Sequence, residues 1–250
     1  MDFREFREKY NIVLNEQQQV AVESIEGPVL LLAVPGSGKT TVLVSRLGYM
    51  IFAKEIRPES ILTVTYTVAA TADMKRRFEA KFGEEYSSRL EFRTINGISQ
   101  KILQYFGRIT GKEPFRVADK ETAVIVKNVF REVKGKFATE NDIKELQTAI
   151  TYVKNMRIPM EKLKNFDEEL QDFSKIYIRY NQELKRLKMI DYDDQMVYAH
   201  QILLSHKEIL DHFRVLLQFI QTADMQIVTL HHKSGHPLRL FRYAVVGDHP

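Results

Sequence analysis

Residues 28–40 read Pro-Val-Leu-Leu-Leu-Ala-Val-Pro-Gly-Ser-Gly-Lys-Thr, an apolar run that ends in glycines, a lysine and a threonine. Pro28 to Ala33 is short and uniformly apolar, the pattern of a strand buried on both faces. Behind the glycines, Val42, Leu43, Leu47 and Met50 fall on one helical face, so a helix is expected from Lys39. A strand that stops at a glycine turn and restarts as a helix is the frame of a Walker A phosphate loop. Gly36 and Gly38 let backbone N–H groups turn inward around phosphate oxygens, and the helix N-terminus adds partial positive charge. Position 33 is Ala where the strict pattern carries Gly. The residues expected to hold a nucleoside triphosphate are Pro35, Gly36, Ser37, Gly38, Lys39, Thr40 and Thr41. Lys39, also a catalytic candidate, would reach the β- and γ-phosphates, and the Thr40 hydroxyl would ligate Mg²⁺.

The texture around this loop predicts an α/β fold. From Leu14 to about Gly107, short apolar runs alternate with amphipathic stretches, the signature of βαβ units on a parallel sheet. Further strands are expected at 60–65 and 90–94, with helices at 71–82 and from about Asn96. Between about 110 and 190 the strands vanish and helix follows helix, the first capped by Asp119 with Val124, Ile125 and Val129 on its inner face. A last helix should run from Ser205 to about Phe213, and 215–220 and 243–246 could return two strands to the sheet. The expected organisation is therefore 1–109 for the first part of the α/β domain, 110–190 for a helical insertion and 191–250 for the return. An ending at Val245-Val-Gly-Asp-His-Pro250, with no helix behind the strand, reads as truncation.

Composition removes several chemistries. With no cysteine there are no disulfides, thiolate zinc sites, iron–sulfur clusters or cysteine nucleophiles, and a reducing cytoplasm is the expected location. The N-terminus Met1-Asp-Phe-Arg-Glu-Phe-Arg-Glu-Lys-Tyr10 lacks a signal-peptide core, and no long apolar run predicts a membrane span. A net charge of +4 suits a polyanion without specifying one. His231, His232, His236 and His249 do not follow a zinc-ligand spacing.

A phosphate loop alone names no function, and its neighbours carry the rest. Leu14-Asn-Glu-Gln-Gln-Gln-Val-Ala-Val22 resembles the Q motif of UvrD/Rep-type superfamily 1 DNA helicases. Thr65-Tyr-Thr-Val-Ala-Ala-Thr-Ala-Asp-Met74 is similar to their motif Ia, with Val68 and Ala69 in place of the usual Asn-Lys. Thr94-Ile-Asn-Gly97 resembles the next DNA-contact motif, with Asn96 where many members have His. Ile190-Asp-Tyr-Asp-Asp194 looks like the acidic-aromatic element at the end of the helical insertion, and its aspartates are read as structural. Phe219-Ile-Gln-Thr-Ala-Asp-Met-Gln226 aligns with the Walker B stretch, placing Asp224 at the catalytic Glu, Gln226 at the family glutamine and Ala223 at the magnesium-binding Asp. Val245-Val-Gly-Asp248 then resembles the start of motif III. A competing alignment matches 226–235 to the later TIHKSKG motif, which would make the tail a fusion or an altered sequence.

The resemblance covers most of 10–215 and identifies the chain as the N-terminal ATP-binding part of such a helicase. It implies a RecA-like P-loop NTPase lobe with an all-helical inserted subdomain, ATP and Mg²⁺ as cofactors, and single-stranded DNA as partner. It also implies that Gln18 reads the adenine edge, that Tyr66 stacks on a base, that Thr65 and Thr67 bond phosphate, that Asn96 contacts DNA, and that Asp224 is catalytic. The parent would translocate 3′ to 5′ on single-stranded DNA by ATP hydrolysis. Without a second lobe the chain itself is expected to bind nucleotide and, weakly, DNA, rather than act as a helicase. Two rivals stand beside this reading: a silent helicase-like scaffold or regulator, suggested by Ala223, and a P-loop kinase, for which no acceptor site or lid is visible. Oligomeric state is not encoded in any of these motifs.

Overall fold

The computed structural model describes residues 1–27, 29–33, 36–113, 115–222, 227–231 and 242–246. The chain divides into two compact units, Met1–Ile98 with Glu208–Pro250, and Ser99–Lys207.

The first unit opens with helix α1 (Phe3–Lys9), started by a capping box in which Asp2 and Glu5 each accept the other's backbone N–H. Its Phe3 and Phe6 are buried against Tyr49, with ring centroids 5.2 and 5.5 Å away. Helix α2 (Glu16–Glu23) and strand β1 (Val29–Ala33) lead to α3 (Lys39–Phe52). Every residue of α3 from Val42 to Ile51 is buried, as in a helix enclosed on all sides. Strand β2 (Ile61–Thr65), helix α4 (Val68–Phe82), the short α5 (Glu84–Ser87) and strand β3 (Glu91–Thr94) follow, and α6 (Ile95–Thr110) carries the chain into the second unit. The five residues of β2 are all buried, while β3 is only partly so, as befits a central strand beside an edge strand. Helix α4 begins at Val68 rather than the expected Thr71. The Thr67 hydroxyl accepts the Ala70 N–H at 3.1 Å, and this N-cap starts the helix earlier than its charged stretch suggests.

The second unit contains strand β4 (Arg116–Val117), helices α7 (Glu121–Lys134), α8 (Glu140–Asn155) and α9 (Phe173–Arg186), strand β5 (Met189–Ile190) and helix α10 (Tyr192–Ser205). Its core includes Val129, Phe130, Leu146, Ile150, Phe173 and Ile176. Strands are not absent from this region as the pattern predicts. β4 and β5 pair in parallel, Arg116 opposite Met189 and Val117 opposite Ile190, in segments too short to show a period. Asp119 does not cap α7: Lys120 holds that position without a side-chain bond. Val124 is 56 % exposed, and Val126 takes the inner face with Ile125 and Val129.

Helix α11 (Lys207–Leu216) returns the chain to the first unit, where β6 (Phe219–Thr222), β7 (Ile227–His231) and β8 (Arg242–Val246) complete the sheet. Val215, expected to open a strand, lies in α11 and is exposed. The six-stranded sheet has the order β3-β2-β6-β7-β1-β8. β2 runs parallel to β3 and β6, and β1 parallel to β8, but β7 is antiparallel to both β6 and β1. The sheet is thus mixed rather than purely parallel. The connection 223–226 is far too short for a parallel crossover, so the strand after β6 must reverse if it is to pair with it.

Candidate functional site

The phosphate loop is built by the turn from β1 into α3. Gly36 and Gly38 have φ of 85° and 81°, where an L side chain would be strained, and Gly38 is the N-cap of α3 with no side chain closing it. The first N–H groups of an α-helix have no intrahelical acceptor, and the positive end of the helix dipole lies with them. Ser37 is buried, Gly36 and Thr41 are exposed, and Lys39 and Thr40 are half-buried at the start of α3. Pro35 lies outside the described residues.

Gln18 is brought to this loop by α2. Its backbone N–H donates to Asn15 Oδ1 at 2.8 Å, while its side-chain Oε1 accepts the Asn15 N–H at 3.0 Å, a reciprocal capping box. Its Nε2 donates to the Ser37 carbonyl at 3.1 Å. A Cβ placed on Gly38 would stand 3.0 Å from that nitrogen, so glycine is required there for clearance as well as for φ. A carboxamide has two N–H donors and two acceptor lone pairs, so one of each remains for a ligand. Beside the loop a cavity of about 150 Å³ is lined by Ile12, Val13, Thr40, Thr41, Val44, Ser45, Arg77 and Lys81. It is smaller than a site that would enclose a whole nucleotide. A larger groove, about 670 Å³, lies along α1 and Gln19, and among the described residues none of the phosphate loop lines it.

Two antiparallel steps, β1 to β7 and β7 to β6, restore direction, so β1 points the same way as β6, β2 and β3. The phosphate loop, the turn after β2 and the turn after β3 consequently emerge from one edge of the sheet, the carboxyl edge where open α/β sheets bind ligands. Thr65 and Thr94 are in register, which sets Tyr66-Thr67 beside Ile95-Asn96. Tyr66 is 76 % exposed. Thr67 is exposed but occupied as the cap of α4. Thr65 is turned inward: it is buried, and its hydroxyl donates to the Thr67 carbonyl at 2.9 Å and pairs with Thr71 Oγ1. Its side chain is therefore not offered to a ligand as the sequence pattern suggests. Asn96 is half-buried at the start of α6, and its Oδ1 is buried without a partner.

Strand β6 carries Gln221 opposite Thr63, and its Nε2 donates to Thr63 Oγ1 at 3.1 Å between two buried side chains. The stretch just after it, with Ala223, Asp224 and Gln226, lies outside the described residues, as do Gly247, Asp248 and His232, His236 and His249. Among the described residues no group of three or more His, Asp or Glu side chains could hold a metal. No helix among them is long and apolar enough to cross a membrane. Asp191 and Asp194 are engaged within the second unit. Asp191 caps α10 by accepting the Asp194 N–H at 2.8 Å, and Lys154 Nζ lies 2.6 and 2.8 Å from the two carboxylates.

One functional candidate escapes the motifs. Arg46, on α3, is 2 % exposed, and its Nη1 donates to the Ala21 carbonyl at 2.7 Å and to the Ser24 carbonyl. The signal for it was a lone arginine within the apolar run Val42–Ile51.

Residues 14–226 match the family described as the UvrD/REP helicase N-terminal domain. The ATP-dependent DNA helicase PcrA of Staphylococcus epidermidis is 27 % identical over 219 residues, covering 85 % of this chain and 30 % of PcrA. PcrA of Leuconostoc citreum is 29 % identical over 185 residues, 72 % of this chain and 25 % of its own length. YjcD of Bacillus subtilis is 28 % identical over 220 residues, 86 % of this chain and 29 % of YjcD. The chain spans less than a third of the length of these relatives.

Proposed function

The chain belongs to the UvrD/REP helicase N-terminal domain family, and on that premise we propose that it is the ATP-binding part of a helicase that uses ATP hydrolysis to translocate on single-stranded DNA. The observation that carries this reading is the turn into α3 built on the positive-φ Gly36 and Gly38, with the Gln18 carboxamide bonded to the loop at Ser37. Lys39 binds the β- and γ-phosphates and Thr40 holds Mg²⁺, with Pro35, Gly36, Ser37, Gly38 and Thr41 completing the loop. Gln18 reads adenine with its remaining donor and acceptor. Tyr66, Thr67 and Asn96 meet DNA along the sheet edge, and Thr65 supports that turn from within. Asp224 acts where the family has its catalytic glutamate. In domain terms, we read Met1–Ile98 with Glu208–Pro250 as a RecA-like P-loop lobe and Ser99–Lys207 as the helical insertion, in place of the expected bounds 1–109, 110–190 and 191–250. Hydrolysis and translocation are proposed for a protein of the relatives' length, and nucleotide binding with weak DNA affinity for these 250 residues. Ala223 in place of the magnesium-binding Asp favours a second reading, a nucleotide-binding scaffold that does not hydrolyse.

A fluorescent ATP analogue titrated with and without Mg²⁺ tests the site against Lys39→Ala. Magnesium-dependent binding that this change abolishes is the expected result. Binding indifferent to magnesium would favour the scaffold reading, and no binding by the folded wild-type chain would overturn both. On the DNA side, Tyr66→Ala should leave the melting temperature unchanged and weaken single-stranded DNA binding by about 1–3 kcal/mol, the usual worth of a stacked base. Unaltered affinity in a filter-binding titration would remove Tyr66 from the interface.

A further inference from the structure

Arg46 is a buried cation that nothing in the phosphate-loop chemistry requires. It sits on the helix that begins at Lys39, about two turns farther on. Nη1 is shared between the Ala21 and Ser24 carbonyls, while Nε and Nη2 are buried without partners. Among the described residues no carboxylate pairs with it, and burial pulls its pKa down to about 10, which leaves it charged at neutral pH. A guanidinium held this way is a poor source of stability, since an apolar side chain of similar size would fill the space without stranded donors.

What an apolar side chain would not supply is direction. Ala21 and Ser24 belong to the last turn and the C-cap of α2, where carbonyls carry the negative end of the helix dipole. At its other end the same helix is tied to the phosphate loop by the 3.1 Å bond from Gln18 Nε2 to the Ser37 carbonyl. Between these ends α2 packs through the buried side chains of Ala21 and Val22, and the Arg46 bonds add a directional tie at its carboxyl end. The clearance at the loop is also small, with a Gly38 Cβ position 3.0 Å from Gln18 Nε2.

We infer that Arg46 is a positioning residue for nucleobase selection: by fastening the carboxyl end of α2 to α3, it holds the Gln18 carboxamide in register with an adenine above the phosphate loop. This rests on the nucleotide site proposed above. Phosphate binding depends on α3 and its own N–H groups, so it does not need α2 to keep its angle. Arg46 therefore acts on ATP against GTP, and on ATP against bare triphosphate.

Calorimetric titration of the 250-residue chain with Mg²⁺ and ATP, GTP or inorganic tripolyphosphate, for wild type, Arg46→Met and Arg46→Lys, tests this directly. Arg46→Met should lower ATP affinity about tenfold while GTP and tripolyphosphate change by less than about twofold, the scale of one lost directional contact. Arg46→Lys, which keeps a donor but not the fork, should restore part of the ATP preference. Parallel weakening of all three ligands, or an unchanged ATP-to-GTP ratio in both variants, would overturn the inference and leave the site intact. A wild-type chain that binds none of the three would overturn the nucleotide site itself. Should Arg46→Met fail to fold, the same ratio measured for Arg46→Lys decides.

Discussion

Lys154→Met is expected to destabilise the helical unit by about 3–5 kcal/mol, the range for removing one partner of a buried ion pair. The Lys154 side chain is 3 % exposed and its ammonium lies 2.6 Å from Asp191 Oδ2 and 2.8 Å from Asp194 Oδ2. Tyr180 donates to the same Asp191 oxygen at 2.9 Å. Methionine would fill the volume but strand two carboxylates side by side in a dry site. Burial already pushes the Asp194 carboxyl above the usual carboxylate range, with Lys154 pulling it back and the Asp191 charge raising it further. Loss of Lys154 should raise it more. A carboxyl whose folded pKa exceeds its unfolded one stabilises the fold when protonated, and that contribution is lost as pH rises through the folded value. The deficit should therefore be largest at neutral pH and shrink in mild acid. Urea midpoints at the two pH values check this, and a loss below about 1 kcal/mol at neutral pH would mean that water reaches the cluster.

Gly48→Ala should cost about 2 kcal/mol although it improves helix propensity. An alanine in mid-helix gains about 0.5–1 kcal/mol over glycine, but overpacking a closed core costs up to about 3. The added Cβ would fall 2.1 Å from Phe82 Cζ. That ring has little room to withdraw, with Phe6, Tyr10, Phe52 and Phe78 centroids at 6.1, 5.1, 5.4 and 5.0 Å. Thermal melts of Gly48→Ala, Phe82→Leu and the double variant are the measurement. The double variant should lose less than the sum of the singles, because the smaller side chain makes room for the methyl group. Strict additivity would show that Gly48 and Phe82 do not compete for the same space.

How much of this protein is legible in the chain follows the range of the forces involved. The strand β1, the glycine loop and α3 are local: an apolar run, two positive-φ glycines and a helical apolar face need no distant partner to be read. The same holds for β2, whose five residues are all buried. Local patterns misled at two helix starts, where α4 begins at Val68 behind the Thr67 cap rather than at Thr71, and Lys120 rather than Asp119 holds the N-cap position of α7. They also missed β4 and β5, two-residue strands that exist only because Arg116 and Val117 meet Met189 and Ile190 from far along the chain.

At the candidate site, the residue types at Gln18, Gly36, Gly38 and Lys39 were determined by the sequence alone, because each serves a chemistry that depends on its own side chain or φ. Only the tertiary structure decided that Gln18 bonds to Ser37, that Thr65 faces inward while Tyr66 faces out, and that Arg46 ties α2 to α3. A side chain's chemistry is written in its residue type, but its partners are set by which backbones packing brings within hydrogen-bond distance.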